Sequence, residues 1–351
     1  HTTLYTASAP AAVLQDGQEA VSVTFSAQNN GVTLNKTYTL KRGSYLMDVR
    51  YDVENTSAQA IRPDVYMEIV RDGAQMGESK FYTTYTGPVV YNATDKYKKV
   101  PFTDISSGKV DFTTQSDIGW VGMIQHYFVS AWVVPETKPR TFYTRTLQNT
   151  NTPETSIFSV GERMSLGEIA PASKTTFNAQ LYVGPQDQDK LAAIAPGLDL
   201  TVDYGWLTII AKPVHWFLTF LHSFIPNWGW AIVALTILVK LAFFPLTAAS
   251  YKSMAKMRRL APKIKILQEQ FADDKMKLNQ ETMALYKAEK VNPAGGCLPM
   301  LVQMPVFIAL FYVLQAAVEM RGAPWLGWIQ DLSLPDPWYI LPVLMCVTMV
   351  F

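Results

Sequence analysis

The sequence has few cysteines, and outside one short segment no part of it carries an excess of positive charge. Cys297 and Cys346 are its two cysteines, so residues 1–203 contain no thiol and cannot rely on disulfides. The 30 basic residues nearly balance the 29 acidic ones, which argues against direct binding of nucleic acid. The first residues lack a basic, apolar and small-residue series, so no signal peptide or first membrane anchor is predicted there.

Motifs of catalysis and cofactor binding are also lacking. The sequence has no GxGxxG, phosphate-binding GxxxxGK, GxSxG or HExxH, and no spacing singles out a pair of catalytic carboxylates. His215 and His222 are the one histidine pair that shares a helix face, but no cysteine or carboxylate lies nearby in sequence. A polar edge is therefore a better interpretation of the pair than a metal site. The sequence predicts a protein that is not an enzyme and that has no metal and no cofactor.

Residues 1–203 have the pattern of an antiparallel β-sandwich domain. Apolar and polar residues alternate over 20–26, 36–40 and 46–53, and glycine, asparagine and aspartate separate these runs. The most apolar stretch, 119–135, is interrupted by Gln125 and His126 and is too short to cross a bilayer well, so it is predicted to form core strands.

Residues 204–351 contain nearly all the long apolar runs and are predicted to be helical and embedded in a membrane. Residues 204–226 predict an amphipathic helix along the membrane surface, broken at Lys212 and Pro213; a buried connecting helix is the alternative. The apolar runs 228–246 and 298–318 are each long enough to span about 30 Å as a helix. We assign transmembrane helices to 227–250 and 293–320, a loop to 321–337, and the start of a further span to 338–351.

A charged helical hairpin, residues 251–292, separates the two complete spans. Its net charge of +5 places it in the cytoplasm by the positive-inside rule, so the sandwich and the 321–337 loop are predicted to face outside, which for a bacterial inner membrane means the periplasm. Asp274 is a candidate N-cap for the second helix, which is predicted to run to about Lys290. The methionines of the hairpin form either an adaptable binding surface or the hairpin's own core; they are Met254, Met257, Met276 and Met283. The first helix has a narrow apolar seam: Met254, Met257, Leu260, Ile264, Leu267 and Phe271.

Lys240 is the one charged residue in the first predicted span. It lies about 18 Å along a helix that starts at Trp228, past the midplane on the cytoplasmic side. An ammonium there costs about 2.5–3.5 kcal/mol, and the apolar runs 228–246 and 298–318 contain no acidic residue to pair with it, since Glu319 lies at the opposite end of its span. The side chain either reaches the cytoplasmic headgroups or lies in a wet cavity. The second interpretation is favoured by Thr236, one turn earlier on the same face, and by Gln303 at a comparable depth, and it predicts a hydrophilic pocket.

Five segments closely resemble the YidC family of membrane-protein insertases of Gram-negative bacteria. They are YKSMAKMR at 251–258, MALYKAEKVNP at 283–293, GGC at 295–297, QMP at 303–305 and LTVDYGW at 200–206. The resemblance implies a multidomain membrane protein of the bacterial inner membrane. In this family a periplasmic β-supersandwich is followed by an interfacial helix and by a transmembrane core with a cytoplasmic helical hairpin.

The resemblance also implies a mechanism without nucleotide hydrolysis. A hydrophilic groove in the membrane receives the tail of a nascent membrane protein, and a basic residue, Lys240 at the matching position, attracts its acidic groups. Many members have arginine there, whose forked donor geometry lysine lacks. The implied substrate path comprises Thr236, Gln303, Met304, Pro305 and Phe307, and the implied hairpin contacts are Lys252, Lys256, Arg258, Arg259 and Lys263.

The partners implied are nascent membrane proteins, the Sec translocon, the ribosome or targeting machinery, and membrane lipids. Two other functions are weaker interpretations of the same residues. An ion or solute transporter using Lys240 as its binding charge would show inverted repeats, and none is found. A sugar-active enzyme in the sandwich would need a histidine clustered with carboxylates, and only His126 is available.

Overall fold

The computed structural model describes residues 3–74, 85–150, 152–272, 274–289, 291 and 298–350. The chain divides into two compact units, His1–Asp203 and Tyr204–Phe351. The first unit contains strands β1 (Thr6–Ala7), β2 (Ala20–Asn29), β3 (Val32–Lys41), β4 (Leu46–Asn55), β5 (Asp64–Asp72), β6 (Gly87–Asn92), β7 (Lys96–Lys99), β8 (Gln115–Ser116), β9 (Gly119–Gln125), β10 (Phe128–Val133), β11 (Arg140–Gln148), β12 (Ile157–Ser165) and β13 (Ser173–Pro185), with helices α1 (Phe102–Ser107) and α2 (Gln188–Ile194).

The strands form two antiparallel sheets packed as a sandwich. Nine strands pair in the order β1-β2-β3-β4-β13-β10-β9-β6-β7, and four pair in the order β5-β12-β11-β8. Buried and exposed side chains alternate along β4, which puts Val49 and Tyr51 on the inner face of the larger sheet. They belong to the same buried cluster as Phe142 and Phe158 of the smaller sheet. The predicted strands 20–26, 36–40 and 46–53 lie within β2, β3 and β4. His126, predicted to stand in a strand, lies instead in the turn between β9 and β10.

Arg140 and Glu162 lie side by side and fully buried inside this sandwich. Nη1 of Arg140 lies 3.3 Å from Oε2 of Glu162, and both side chains are fully shielded from solvent. The guanidinium also donates to the carbonyl oxygens of Gly119, Glu136 and Lys138, whereas Oε1 of Glu162 has no hydrogen-bond partner among the described residues. Burial raises the pKa of Glu162 to about 8 against the opposing effect of Arg140.

The raised pKa of Glu162 predicts that the sandwich loses stability as the pH rises from about 4.5 to about 8. In that window the folded state binds a proton that the unfolded state has released, so the free energy of unfolding decreases with pH, by on the order of a few kcal/mol in total. Amide hydrogen exchange in β12, corrected for intrinsic rates, measures this change. Glu162→Gln should flatten the dependence, and an equally steep profile in that variant would contradict the prediction.

The second unit is helical. It contains a 3₁₀ turn at Gly205–Leu207, helices α3 (Thr208–Phe224), α4 (Trp228–Ala242), α5 (Phe244–Gln270), α6 (Lys275–Ala288) and α7 (Leu298–Ala316), a 3₁₀ turn at Val318–Met320, and α8 (Ile340–Val350). The prediction of a break at Lys212 and Pro213 is wrong, since α3 continues through Pro213. Pro213 has no N–H to donate to the carbonyl of Ile209, so α3 lacks this one hydrogen bond without ending there.

The prediction of one continuous helix from 228 to 246 is also wrong. Helix α4 ends at Ala242 and α5 begins at Phe244, and the two are bent by 58°. Pro245 explains the bend, because it cannot donate to the carbonyl of Leu241 and its ring would clash with that group. Among the described helices, none is by itself both long and apolar enough to cross a bilayer, although the bent α4–α5 pair passes the same test.

Candidate functional site

Lys240 lies in the last turn of α4, three residues before the break at Phe243. Its side chain is exposed, and a cation at this end of a helix is favoured by the carbonyls of the last turn. The next charged residue along the chain is Lys252, about twelve residues or about 18 Å further along α5. The ammonium therefore belongs to an apolar part of the chain even though α4 is shorter than predicted.

A narrow recess lies beside Lys240, between α3, α4 and α7. Its volume of about 10 Å³, measured for the centres of water molecules, leaves room for about one water. Apart from Thr236 and Lys240, the side chains around it are apolar: Val214, Leu235, Val239, Val306, Phe307 and Leu310. Within the described residues, the recess is thus an apolar notch with one cation at its margin.

The three polar residues predicted to line one hydrophilic pocket do not do so together. Thr236 lines the recess, but its hydroxyl donates to the carbonyl of Ile232 at 2.8 Å and is thereby occupied by its own helix. Gln303 is not among the residues around the recess, and its Nε2 is buried without a hydrogen-bond partner among the described residues. Among the described residues, Thr236 and Lys240 thus share the recess without Gln303, whose amide nitrogen remains unpaired, and the hydrophilic pocket stays a prediction.

The remaining residues of the implied substrate path lie on α7. Met304 and Phe307 are about half exposed, and Pro305 lies inside the helix. The Nζ atom of Lys240 lies 4.9 Å from the centroid of the Phe307 ring, which is a cation–π distance. Composition and spacing do not predict this contact, because the two residues lie on different helices.

The hairpin of α5 and α6 presents its basic residues to solvent. Lys252, Lys256, Arg258 and Arg259 are exposed, while Lys263 pairs with Glu289 at 2.6 Å and joins the two helices. Asp274 caps α6 by accepting from the backbone N–H of Lys277, as predicted. Helix α6 ends at Ala288, and Lys290, its predicted end, lies outside the described residues.

Three of the four methionines of the hairpin lie on its surface. Met276 and Met283 are 77% and 56% exposed, and Met254 is also exposed. The apolar seam of α5 is otherwise as predicted: Leu260 is buried, and the other seam residues beyond Met254 are half-buried, namely Met257, Ile264, Leu267 and Phe271. Of the two interpretations offered for the methionines, the structure favours the exposed surface.

Helix α3 has one packed face and one exposed aromatic face. Ala211 and Leu218 are buried, whereas Trp216, Phe220 and Phe224 are exposed and their rings contact one another along the helix. This arrangement fits an interfacial helix better than a fully buried connector. The two histidines have separate neighbours: Nε2 of His215 lies 4.0 Å from a Glu319 oxygen, and His222 stacks on Trp228. No metal-binding cluster of histidine, cysteine and carboxylate is present in the described ranges.

Comparison with known families covers both units. The model described as the YidC periplasmic domain matches residues 1–217, and the model described as the 60Kd inner membrane protein matches residues 220–351. The chain belongs to the YidC family. Members of this family are inner-membrane proteins with a periplasmic domain, which agrees with a β-sandwich followed by helices.

Curated members of the YidC family are similar to almost the whole chain. The "Membrane protein insertase YidC" of Cupriavidus taiwanensis is 51% identical over 349 residues, and that of Ralstonia nicotianae is 52% identical over 349 residues; each alignment covers 99% of this chain. The protein of Dechloromonas aromatica is 52% identical over 351 residues. The chain spans 61–63% of the length of these three relatives.

Proposed function

We propose that this protein inserts nascent membrane proteins into the bacterial inner membrane and assists their folding without nucleotide hydrolysis. The observation that carries the proposal is the identity of about half over 99% of the chain to YidC proteins named as insertases. The bent apolar pair α4–α5, the apolar helices α7 and α8 and the exposed aromatic face of α3 all suit a membrane protein. The net +5 hairpin supports a cytoplasmic position for 251–292 and a periplasmic position for 1–203 and 321–337.

In this proposal Lys240 attracts the acidic side chains of a substrate's polar tail. Moving a bare carboxylate into hydrocarbon costs several kcal/mol, and a nearby ammonium offsets part of that cost. The recess has room for about one water molecule, so the substrate meets the exposed ammonium at the margin rather than a water-filled interior. The substrate's apolar segment then enters the lipid, and its burial supplies the net driving force.

The hairpin is the proposed first contact for the incoming chain. Its exposed lysines and arginines fit acidic partners such as the ribosome surface or substrate tails, and its exposed methionines can adapt to apolar segments. The sandwich is the proposed docking surface for the Sec translocon or for periplasmic partners.

The proposal predicts that Lys240→Ala slows insertion of acidic-tailed substrates by about tenfold or more relative to neutral-tailed ones, because a charge-assisted contact is lost. Lys240→Arg keeps the charge, so its ratio of insertion rates for acidic-tailed over neutral-tailed substrates should stay within about threefold of that of the natural protein. The measurement is protease protection of single-span substrates after insertion into vesicles containing the full-length natural protein. Lys212→Ala, which removes a lysine from α3, is the matched control. An unchanged ratio in Lys240→Ala would remove Lys240 from the mechanism.

A further inference from the structure

Among the described residues, the Lys240 ammonium has an aromatic neighbour and no acidic one. Its Nζ lies 4.9 Å from the centroid of the Phe307 ring. Among the described residues, no carboxylate lies within 4.0 Å of that nitrogen, and no hydrogen bond from it is present. In the helical unit, Glu289 pairs with Lys263 and Glu319 with His215. Asp331 accepts from the backbone N–H of Ser333, and Asp336 accepts from that of Leu341 at the start of α8.

An aromatic ring differs from a carboxylate in what it does to a cation. The negative face of the ring attracts the ammonium, so it favours one position of the flexible lysine side chain. The ring carries no net charge, however, and leaves the full positive charge available to an incoming carboxylate. A resident aspartate or glutamate would hold the lysine too, but it would neutralise the charge that the substrate needs.

The placement of Phe307 suits this role. It lies on α7, across the recess from the α4 residue Lys240, and both side chains line the recess. Val306 and Leu310 flank Phe307 on the same helix and give the ring apolar neighbours. Because Phe307 is still 42% exposed, the ring does not seal the recess and the ammonium remains approachable.

We propose that Phe307 is a positioning residue that holds the Lys240 ammonium at the margin of the recess, on the side of α7, without neutralising it. This inference rests on the proposed function, because it assumes that Lys240 attracts acidic substrate tails. Without the ring, the lysine stem can turn away toward the polar boundary of the bilayer, as long cationic side chains do. The substrate's carboxylate would then find the ammonium displaced from the recess.

Fluorinated phenylalanines test the proposal without a change of ring shape. We expect the ratio of insertion rates for acidic-tailed over neutral-tailed substrates to fall stepwise as one, two and three fluorines at position 307 weaken the negative face of the ring. The total fall should be about twofold to thirtyfold, the range that a cation–π contact supports. The measurement uses full-length natural protein in vesicles, with mono-, di- and trifluorophenylalanine incorporated at this one position.

Two substitutions provide the matched comparison. Phe307→Trp keeps an aromatic face and should retain the ratio, whereas Phe307→Leu keeps an apolar side chain and should lower it as far as the trifluorinated residue does. A ratio that stays constant through the fluorine series, or a Phe307→Leu variant that slows both substrates equally, would overturn the positioning role. Lys240→Ala in the same assay separates the two proposals: if its ratio falls while the fluorine series is flat, the proposed function stands and the role of Phe307 fails.

Discussion

Replacing Arg140 by methionine is expected to destabilise the β-sandwich by about 3–5 kcal/mol, because three backbone carbonyls lose a charged donor at a cost of about 1–3 kcal/mol each. The guanidinium donates to the carbonyl of Gly119 at 2.8 Å, to that of Glu136 at 2.5 Å and to that of Lys138 at 3.3 Å. These groups lie on the loop before β11 and at the start of β9, so Arg140 fixes one end of the sandwich. Methionine fills the space but leaves all three carbonyls without this donor.

Glu162→Gln is the control that distinguishes ionic attraction between Arg140 and Glu162 from the contacts of Arg140 with backbone carbonyls. Because burial already raises the pKa of Glu162 to about 8, the carboxyl is largely protonated at neutral pH and contributes little ionic attraction. A neutral amide of the same shape should therefore change the free energy of unfolding by less than about 1.5 kcal/mol. Hydrogen exchange in β11 and β12 measures both variants. Equal destabilisation by Arg140→Met and Glu162→Gln would show that the ionised pair, and not the carbonyl contacts, carries the stability.

The strands of the sandwich were predictable where one face of a sheet is buried. In β4, Val49, Tyr51 and Val53 alternate with polar residues, and this period of two is a local signal that survives in the fold. The order of the strands in the larger sheet depends on pairing between distant parts of the chain, which local patterns do not reveal. Strand β4 pairs with β13, which lies about 120 residues later, and the sequence of neither strand indicates which strand it pairs with. Arg140 and Glu162, by contrast, lie on the consecutive strands β11 and β12 of the smaller sheet, so their contact does not depend on that long-range order.

The helical unit shows a different limit. Counting residues along a helix predicts how deep each residue lies in the membrane. On that basis Thr236, Lys240 and Gln303 were predicted to lie at similar depths. Gln303 and Phe307 share one face of α7 and lie about 6 Å apart along its axis, but only Phe307 lines the recess. Counting residues from the start of each span therefore did not give the offset of α7 along α4. The break after α4 was predictable from Pro245, whose effect on the preceding turn outweighs the apolar run in which it occurs.

Lys240→Glu is expected to reverse the preference of the protein for the charge of a substrate's tail. The natural protein should insert a single-span substrate with two aspartates in its tail faster than the same substrate with two lysines, and the variant should show the opposite order. The change in the ratio of the two rates should be about a hundredfold or more, because an attraction of about 1.5–3 kcal/mol is replaced by a repulsion of similar size.

The reversal distinguishes charge attraction from any role of Lys240 in packing or stability. Lys240→Gln removes the charge while keeping a long polar side chain, so it should insert both substrates at similar rates and lie between the two extremes. A tail with two asparagines gives the reference rate for each protein. Protease protection measures the three tails with the natural protein, with Lys240→Glu and with Lys240→Gln, each as the full-length protein in vesicles, which makes nine combinations. If the aspartate tail remains the better substrate of Lys240→Glu, the tail's carboxylates are recognised elsewhere. The exposed lysines and arginines of the hairpin would then be the next groups to reverse.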